Sequence, residues 1–289
     1  MEIRSKIKSK SSWPFMLLVT LSYIPLTAQD SDSEDKKKII VVTKIDEVPK
    51  RCHRVFKTFI KELPEGWKIQ MTLGEFYDFG HSSSTNKFEP YIRSLVPLDA
   101  KGKPHGEEST YRIDGRLIRT ATYKNGTKEG MEKIYRTKNR GPFFLYAEIP
   151  WVKGRIEGVR KTYHPNKQVS SKTLYKKGEA QGKAISYSPE GKLVRECTMK
   201  NDKIHGLLTD FWPQTGKPRR VINYRKGEVQ GVVKEYYSDG KLKREVPFKK
   251  GSMHGEEKQY EGDGTLARSR YWLNGDLVSK DEFEKKFKK

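Results

Sequence analysis

From Gly231 to Gly255 the chain reads GVVKEYYSDGKLKREVPFKKGSMHG, with apolar and polar positions alternating in two short runs, about 232–237 and 241–248. Turn signals bound both runs, Ser238-Asp239-Gly240 and Lys249-Lys250-Gly251. Six to eight residues between turns is strand length and too short for a helix. Asp-Gly and Asn-Gly supply the positive φ of tight hairpin turns. They recur at Asp114-Gly115, Asn125-Gly126, Asp239-Gly240, Asp263-Gly264 and Asn274-Gly275. The whole pattern, G-x4-aromatic-x3-G-x7-aromatic-x2-G-x3-G, returns with its first glycine at Gly106, Gly130, Gly158, Gly182, Gly206, Gly231 and Gly255. The spacings are 24, 28, 24, 24, 25 and 24. A fixed period of this size marks a supersecondary unit that cannot bury its own apolar face and must stack on its neighbours. Each repeat therefore predicts two antiparallel strands, and the array predicts a long meander.

Aligned repeats expose columns. Five residues after each first glycine stand Tyr111, Tyr135, Tyr163, Tyr187, Phe211, Tyr236 and Tyr260. Eight residues after the mid-repeat turn stand Tyr123, Tyr175, Met199, Tyr224, Phe248 and Trp272. Two after that turn come Leu117, Val169, Leu193, Pro218, Leu242 and Leu266. Shared strand parity predicts one shared face for all three columns. Four after the turn come Arg119, Ser171, Arg195, Arg220, Arg244 and Arg268, with the parity of the same face. The five arginines have two readings. They stack on the rings and pair with neighbouring carboxylates, or they line a cationic groove for an anionic ligand.

These features resemble the tandem MORN repeat in its bacterial variant, over 106–279, or 174 of 289 residues. The resemblance implies a mainly β fold: an elongated, open antiparallel meander of about seven 24-residue repeats acting as a scaffold or attachment module. Bacterial proteins of this kind often carry the label antitoxin. Two departures stand out. The second repeat has four extra residues in GPFFLYAEIPWVKG, and the fourth has Asp202 where its siblings have glycine. The insert brings Phe143, Phe144, Tyr146 and Trp151, read either as an aromatic contact site or as a bulge that bends the sheet.

Outside the array, residues 1–28 read as a signal peptide. Arg4, Lys6, Lys8 and Lys10 precede a 14-residue apolar stretch from Trp13 to Leu26, with a small-residue cleavage site after Ala28. Export to the periplasm, the cell surface or the medium is the expectation, with an uncleaved N-terminal membrane anchor as the alternative. A charged linker spans 29–38. Residues 39–105 predict a small α/β N-terminal cap: a strand at IIVVT, helical spacing of Val55, Phe56, Phe59, Ile60 and Leu63, a loop at HSSSTN, and a degenerate half-repeat from about Pro90. Residues 280–289 fit a C-terminal capping helix with Phe283 and Phe287 on one side, or a basic membrane-surface helix.

The formal charge is +22, of which +3 falls on residues 1–28, +2 on 29–105 and +17 on 106–289. Such a basic array favours polyanions such as lipid headgroups, acidic glycans or nucleic acid, unless the cations merely blunt an exposed sheet. Cys52 and Cys197 sit far apart in a linear array, which predicts two partly buried free thiols. His105, His205 and His254 each precede a repeat glycine, where siblings carry Glu129, Glu157, Gln181 and Gln230. His205 and His254 would lie about 19 Å apart by strand count, too far to share one metal. No nucleophile elbow, phosphate-binding loop, zinc-protease motif or metal-spaced cysteine pair is present. The expectation is therefore no catalytic residue, no cofactor, no metal and no small-molecule substrate. The expected function is an exported, non-enzymatic scaffold that binds an anionic envelope component (lipid headgroups or acidic glycan) or a protein partner along its sheet. The alternatives are a cytoplasmic antitoxin-like interaction module and a non-specific nucleic-acid binder. Nucleic acid is disfavoured by the lack of any reader motif.

Overall fold

The computed structural model describes residues 38–42, 47–59, 63–77, 88–137 and 141–287. The predicted signal peptide, the linker up to residue 37 and the HSSSTN loop lie outside the described residues. The chain divides into two units, Met1–Asp35 and Lys36–Lys289. The described residues all belong to the second.

This unit is built on one open antiparallel sheet of 21 strands. Strand pairing follows chain order. Lys38–Val42 pairs with Lys68–Tyr77, which pairs with Phe88–Leu98, which joins the first repeat strand Gly106–Tyr111. From there the long strands pair in chain order, down to Asp276–Val278. The IIVVT strand and the half-repeat are present. The expected helix is present over His53–Phe59, and residues 60–62 lie outside the described residues. It lies over the N-terminal strands in a core of Val42, Cys52, Phe56, Ile69, Met71 and Leu95. Strand Lys68–Tyr77 was not legible beforehand. At the other end the helix Lys280–Phe287 seats Phe283 against Tyr271, ring centroids 5.1 Å apart. Ser279 caps its first turn by accepting the Glu282 N–H.

Each repeat contributes two strands, as predicted, but with two register breaks. The first sits at the opening glycine. Thr173 and Tyr175 face Ala184 and Ala180, so two residues on one strand oppose four on the other. Gly182, inside that bulge, has φ +89°. Only glycine adopts this backbone without strain. In three repeats the break splits off short pieces, Thr127–Lys128, Arg155–Ile156 and Ser252–Met253. The second break sits between Ser186 and Tyr187 opposite Arg195 and Leu193, and recurs at the same place in the other repeats.

That second bulge overturns the expectation of a single shared face. A one-residue bulge reverses side-chain alternation. The ring column five residues after the first glycine therefore points away from the arginines. Tyr163 and Tyr260 donate their hydroxyls to Glu148 and Glu245, at 2.6 and 3.0 Å, on the side opposite Arg244 and Val246. The leucine column goes with these rings, since Tyr187 faces Leu193 and Tyr236 faces Leu242. The other ring column stays with the arginines and packs on the array core of Ala184, Cys197, Met199, Leu208 and Ile222 through Tyr175, Tyr224 and Phe248.

Successive repeats are stitched at both margins. At one, the first turn residue takes positive φ (Asn125 51°, Lys177 53°, Lys226 53°, Lys250 50°). The second donates its N–H to a carbonyl of the preceding repeat, as Gly178 does to Ile156 at 2.9 Å and Gly227 to Ile204 at 3.0 Å. Asp202 keeps this role in place of glycine, with φ +60°, and its carboxylate accepts the Ala180 N–H at 2.8 Å. At the other margin, side chains bond carbonyls one repeat onward, as with Trp212 to Tyr236 and Tyr237 to Tyr260.

Candidate functional site

Pairing register places Ser186, Arg195, Asp210, Arg220, Glu235, Arg244, Gln259 and Arg268 side by side across eight strands. From Arg195 to Arg244 this row alternates cation and carboxylate. Toward the N-terminus it continues through Ser171 and Thr162, whose hydroxyls bond each other at 2.6 Å, and reaches Arg119.

Four of the five predicted arginines meet carboxylates. The Arg119 Nε donates to Glu132 and its Nη1 to Glu108 at 3.3 Å. Glu132 is fully buried, and also takes Lys128 Nζ at 3.2 Å and the Trp151 indole N–H at 2.7 Å. Burial alone would raise the Glu132 pKa, but Arg119 and Lys128 outweigh it and hold the carboxyl below its usual range. Burial pulls the Lys128 ammonium below its usual pKa, and the group lies 4.5 Å over the Trp151 ring. Arg244 repeats the motif, donating Nε to Glu257 at 2.9 Å, while Trp272 gives its indole N–H to the same carboxylate at 2.7 Å. Arg195 and Arg220 share Asp210, which is 1% exposed: Nε of Arg195 reaches Oδ1 at 2.5 Å, and Nη2 of Arg220 reaches Oδ2 at 2.9 Å. Arg268 is exposed and donates to Gln259 at 2.9 Å.

The sequence reading allowed for neighbouring carboxylates but did not say which ones. A signal was available: glutamate stands two residues after the first glycine in the repeats whose later ring is tryptophan, Glu132 with Trp151 and Glu257 with Trp272.

The four insert aromatics do not come together. They lie on one strand, Phe143–Val152. Eight residues of rise, about 26 Å, separate Phe143 from Trp151. The insert lengthens its hairpin, pairing as far as Thr137 with Phe143, and its bulge is the one every repeat has. Arg116 lies 5.4 Å over Phe143 and Arg136 lies 3.8 Å over Tyr146. Arg116, Gly141, Pro142 and Phe143 line a shallow recess. Trp151 belongs instead to the arginine face.

At five of the seven first glycines the polar slot is a clamp on the neighbouring turn. Glu129 and Glu157 accept the Lys153 and Lys177 backbone N–H groups at 2.7 Å. His105, His205 and His254 offer Nδ1 to the equivalent groups at 3.5, 3.4 and 3.3 Å. Both cysteines are buried, and burial pushes the Cys197 thiol pKa up. Among the described residues no three of His, Cys, Asp and Glu gather as a metal site, and no helix is long and apolar enough to cross a membrane.

The fold and its repeated rows define a tandem-repeat β-sheet protein. Segments 156–177, 180–201 and 229–250 match the MORN repeat variant family. The chain carries tandem MORN repeats of this variant, as the sequence pattern implied. No curated protein matches the chain. Among solved structures, a porin-like protein from Bacteroides uniformis ATCC 8492 is similar over 75% of this chain and 91% of its own, at 11% identity and a TM-score of 0.20. A likeness that low carries no argument.

Proposed function

We propose that the chain is an exported, non-enzymatic scaffold that binds an anionic envelope component, or a protein partner, along its repeat sheet. One observation carries the reading. Residues 151–250 hold 24 lysines and arginines against 10 aspartates and glutamates. Much of this excess stands on exposed turns at one margin, as Lys176 with Lys177, Arg225 with Lys226, and Lys249 with Lys250. Repeats lie two strands, about 10 Å, apart, so the three pairs follow at about 20 and 10 Å, with the exposed Lys200 on the turn between the first two. A regular line of solvated cations attracts an extended polyanion, and the attraction weakens with salt. Repeat arrays in general use extended surfaces of this kind for binding. The basic and apolar stretch at residues 1–28 supports export.

Two measurements test this. The full chain should bind heparin and phosphatidylglycerol vesicles in low salt and release them in high salt, while ignoring neutral phosphatidylcholine vesicles. Replacing Lys176, Lys177, Lys226, Lys249 and Lys250 by Gln should weaken both interactions. Binding that ignores salt and these substitutions overturns the anionic partner. Export is tested by the mass of the N-terminus in the native host. A chain that starts at Gln29 outside the cytoplasm supports it. One that keeps Met1 in the cytosol overturns it and favours the antitoxin-like alternative.

A further inference from the structure

We infer that Arg195, with Ser186 opposite it, forms a docking point for a single phosphate- or sulfate-type oxyanion carried by the bound ligand. The inference rests on the reading above and narrows it to one place on the sheet.

The charge row ends on Arg195 with too little negative charge. Arg119 takes two carboxylates, Glu132 and Glu108. Arg195 has only a share of Asp210, whose second oxygen is held by Nε and Nη2 of Arg220 at 3.2 and 2.9 Å. Two guanidiniums therefore flank one buried carboxylate, and Arg219 adds a third cation at 3.9 Å. On Arg195 only Nε is engaged; its two terminal amines have no partner among the described residues. The guanidinium side chain is 22% exposed, so the surplus faces an approachable surface.

The next residue along the row supplies a hydroxyl where the alternation calls for a carboxylate. Ser186 pairs directly with Arg195. Its hydroxyl has no partner among the described residues, whereas the hydroxyls of Ser171 and Thr162 satisfy each other. A planar fork of charged N–H donors beside a free hydroxyl is a donor set for an oxyanion, and partial burial strengthens each bond. The same stretch of the array carries the 24-to-10 excess of basic residues.

Inorganic phosphate is the first probe, titrated calorimetrically into the full chain at constant ionic strength. The expected result is one site, weakened about tenfold or more by Arg195→Gln and unchanged by Arg268→Gln. Ser186→Glu keeps the test decisive if Arg195→Gln fails to fold. It sets a carboxylate opposite Arg195, so phosphate binding should vanish while the melting temperature holds or rises. Absence of phosphate binding by the wild type, or Ser186→Glu binding like the wild type, overturns the site. Phosphatidylglycerol vesicles and heparin oligosaccharides then distinguish the source: the ligand that Ser186→Glu rejects is the one that docks at Arg195. If that variant binds both as the wild type does, the docking point falls and the scaffold reading stands. If the wild type binds neither, both fall.

Discussion

Glu132 and Glu257 lie 125 residues apart and occupy the same place in the repeat, each receiving a tryptophan indole N–H at 2.7 Å. Each also receives Nε of an arginine 13 residues earlier, Arg119 or Arg244. Two Arg–Glu–Trp clusters thus stand five repeats apart. Removing one member of a buried pair leaves the other charge uncompensated, at a cost of about 3–5 kcal/mol. Glu132→Leu should lower stability by that order in urea denaturation. The double change Arg119→Met with Glu132→Leu should recover most of the loss.

The same carboxylate predicts an acid limb. The Glu132 pKa is depressed in the folded state, so its stabilisation is present above the unfolded carboxylate pKa, about 4.3. It is lost as pH falls through the lower folded value. Glu132→Gln should therefore be less stable than wild type near neutrality. The gap in urea midpoint should close as pH is lowered below about 4. A gap that stays constant with pH would contradict the pairing.

Gly255 has φ +127°, and a Cβ there would come within 2.8 Å of Pro247. The proline ring cannot swing away as a flexible side chain would. Gly255→Ala should destabilise the fold by about 1–3 kcal/mol. Gly206→Ala, with φ +90° but nothing within 4 Å, isolates the backbone cost alone and should lose less. Thermal melts of the two variants check the difference.

The clamp formed by Glu or His before a repeat glycine is shorter when the acceptor is charged, 2.7 Å for Glu157 against 3.4 Å for His205. His205→Glu should tighten the bond to the Lys226 N–H and stabilise the protein by about 0.5–1.5 kcal/mol. Calorimetric melting at neutral pH is the measurement, and a lower melting temperature would sink the idea.

Cys197 is buried and its thiol pKa is raised by that burial. Since the thiolate is the reactive form, Cys197 should resist alkylation at neutral pH until the array unfolds. Mass spectrometry after iodoacetamide treatment, with and without urea, reads this directly.

The hairpins, their turns and the period were legible because each depends on residues a few positions apart. Gly240 marks its turn wherever the rest of the chain lies. The capping helix was legible from the spacing of Phe283 and Phe287 for the same reason. Strand Lys68–Tyr77 was not, since it carries no repeat glycine and its partners, Lys38–Val42 and Phe88–Leu98, lie beyond any local window. The arginine column was visible as a column, but its carboxylates were not. Glu132 belongs to a different column from Asp210, and only strand register brings each to its arginine.

By itself the sequence determined the repeat: two short strands, a turn that needs positive φ, a glycine at every step and an excess of cations. These follow from backbone sterics and from composition, which need no distant partner. Tertiary structure decided which residues share a face. A bulge between Ser186 and Tyr187 reverses the alternation that parity arithmetic assumes, and sends one ring column to the side opposite the arginines. It also decided where charge is balanced and where it is not. Arg119 meets two carboxylates and Arg195 shares one, because pairing register sets what stands opposite each guanidinium.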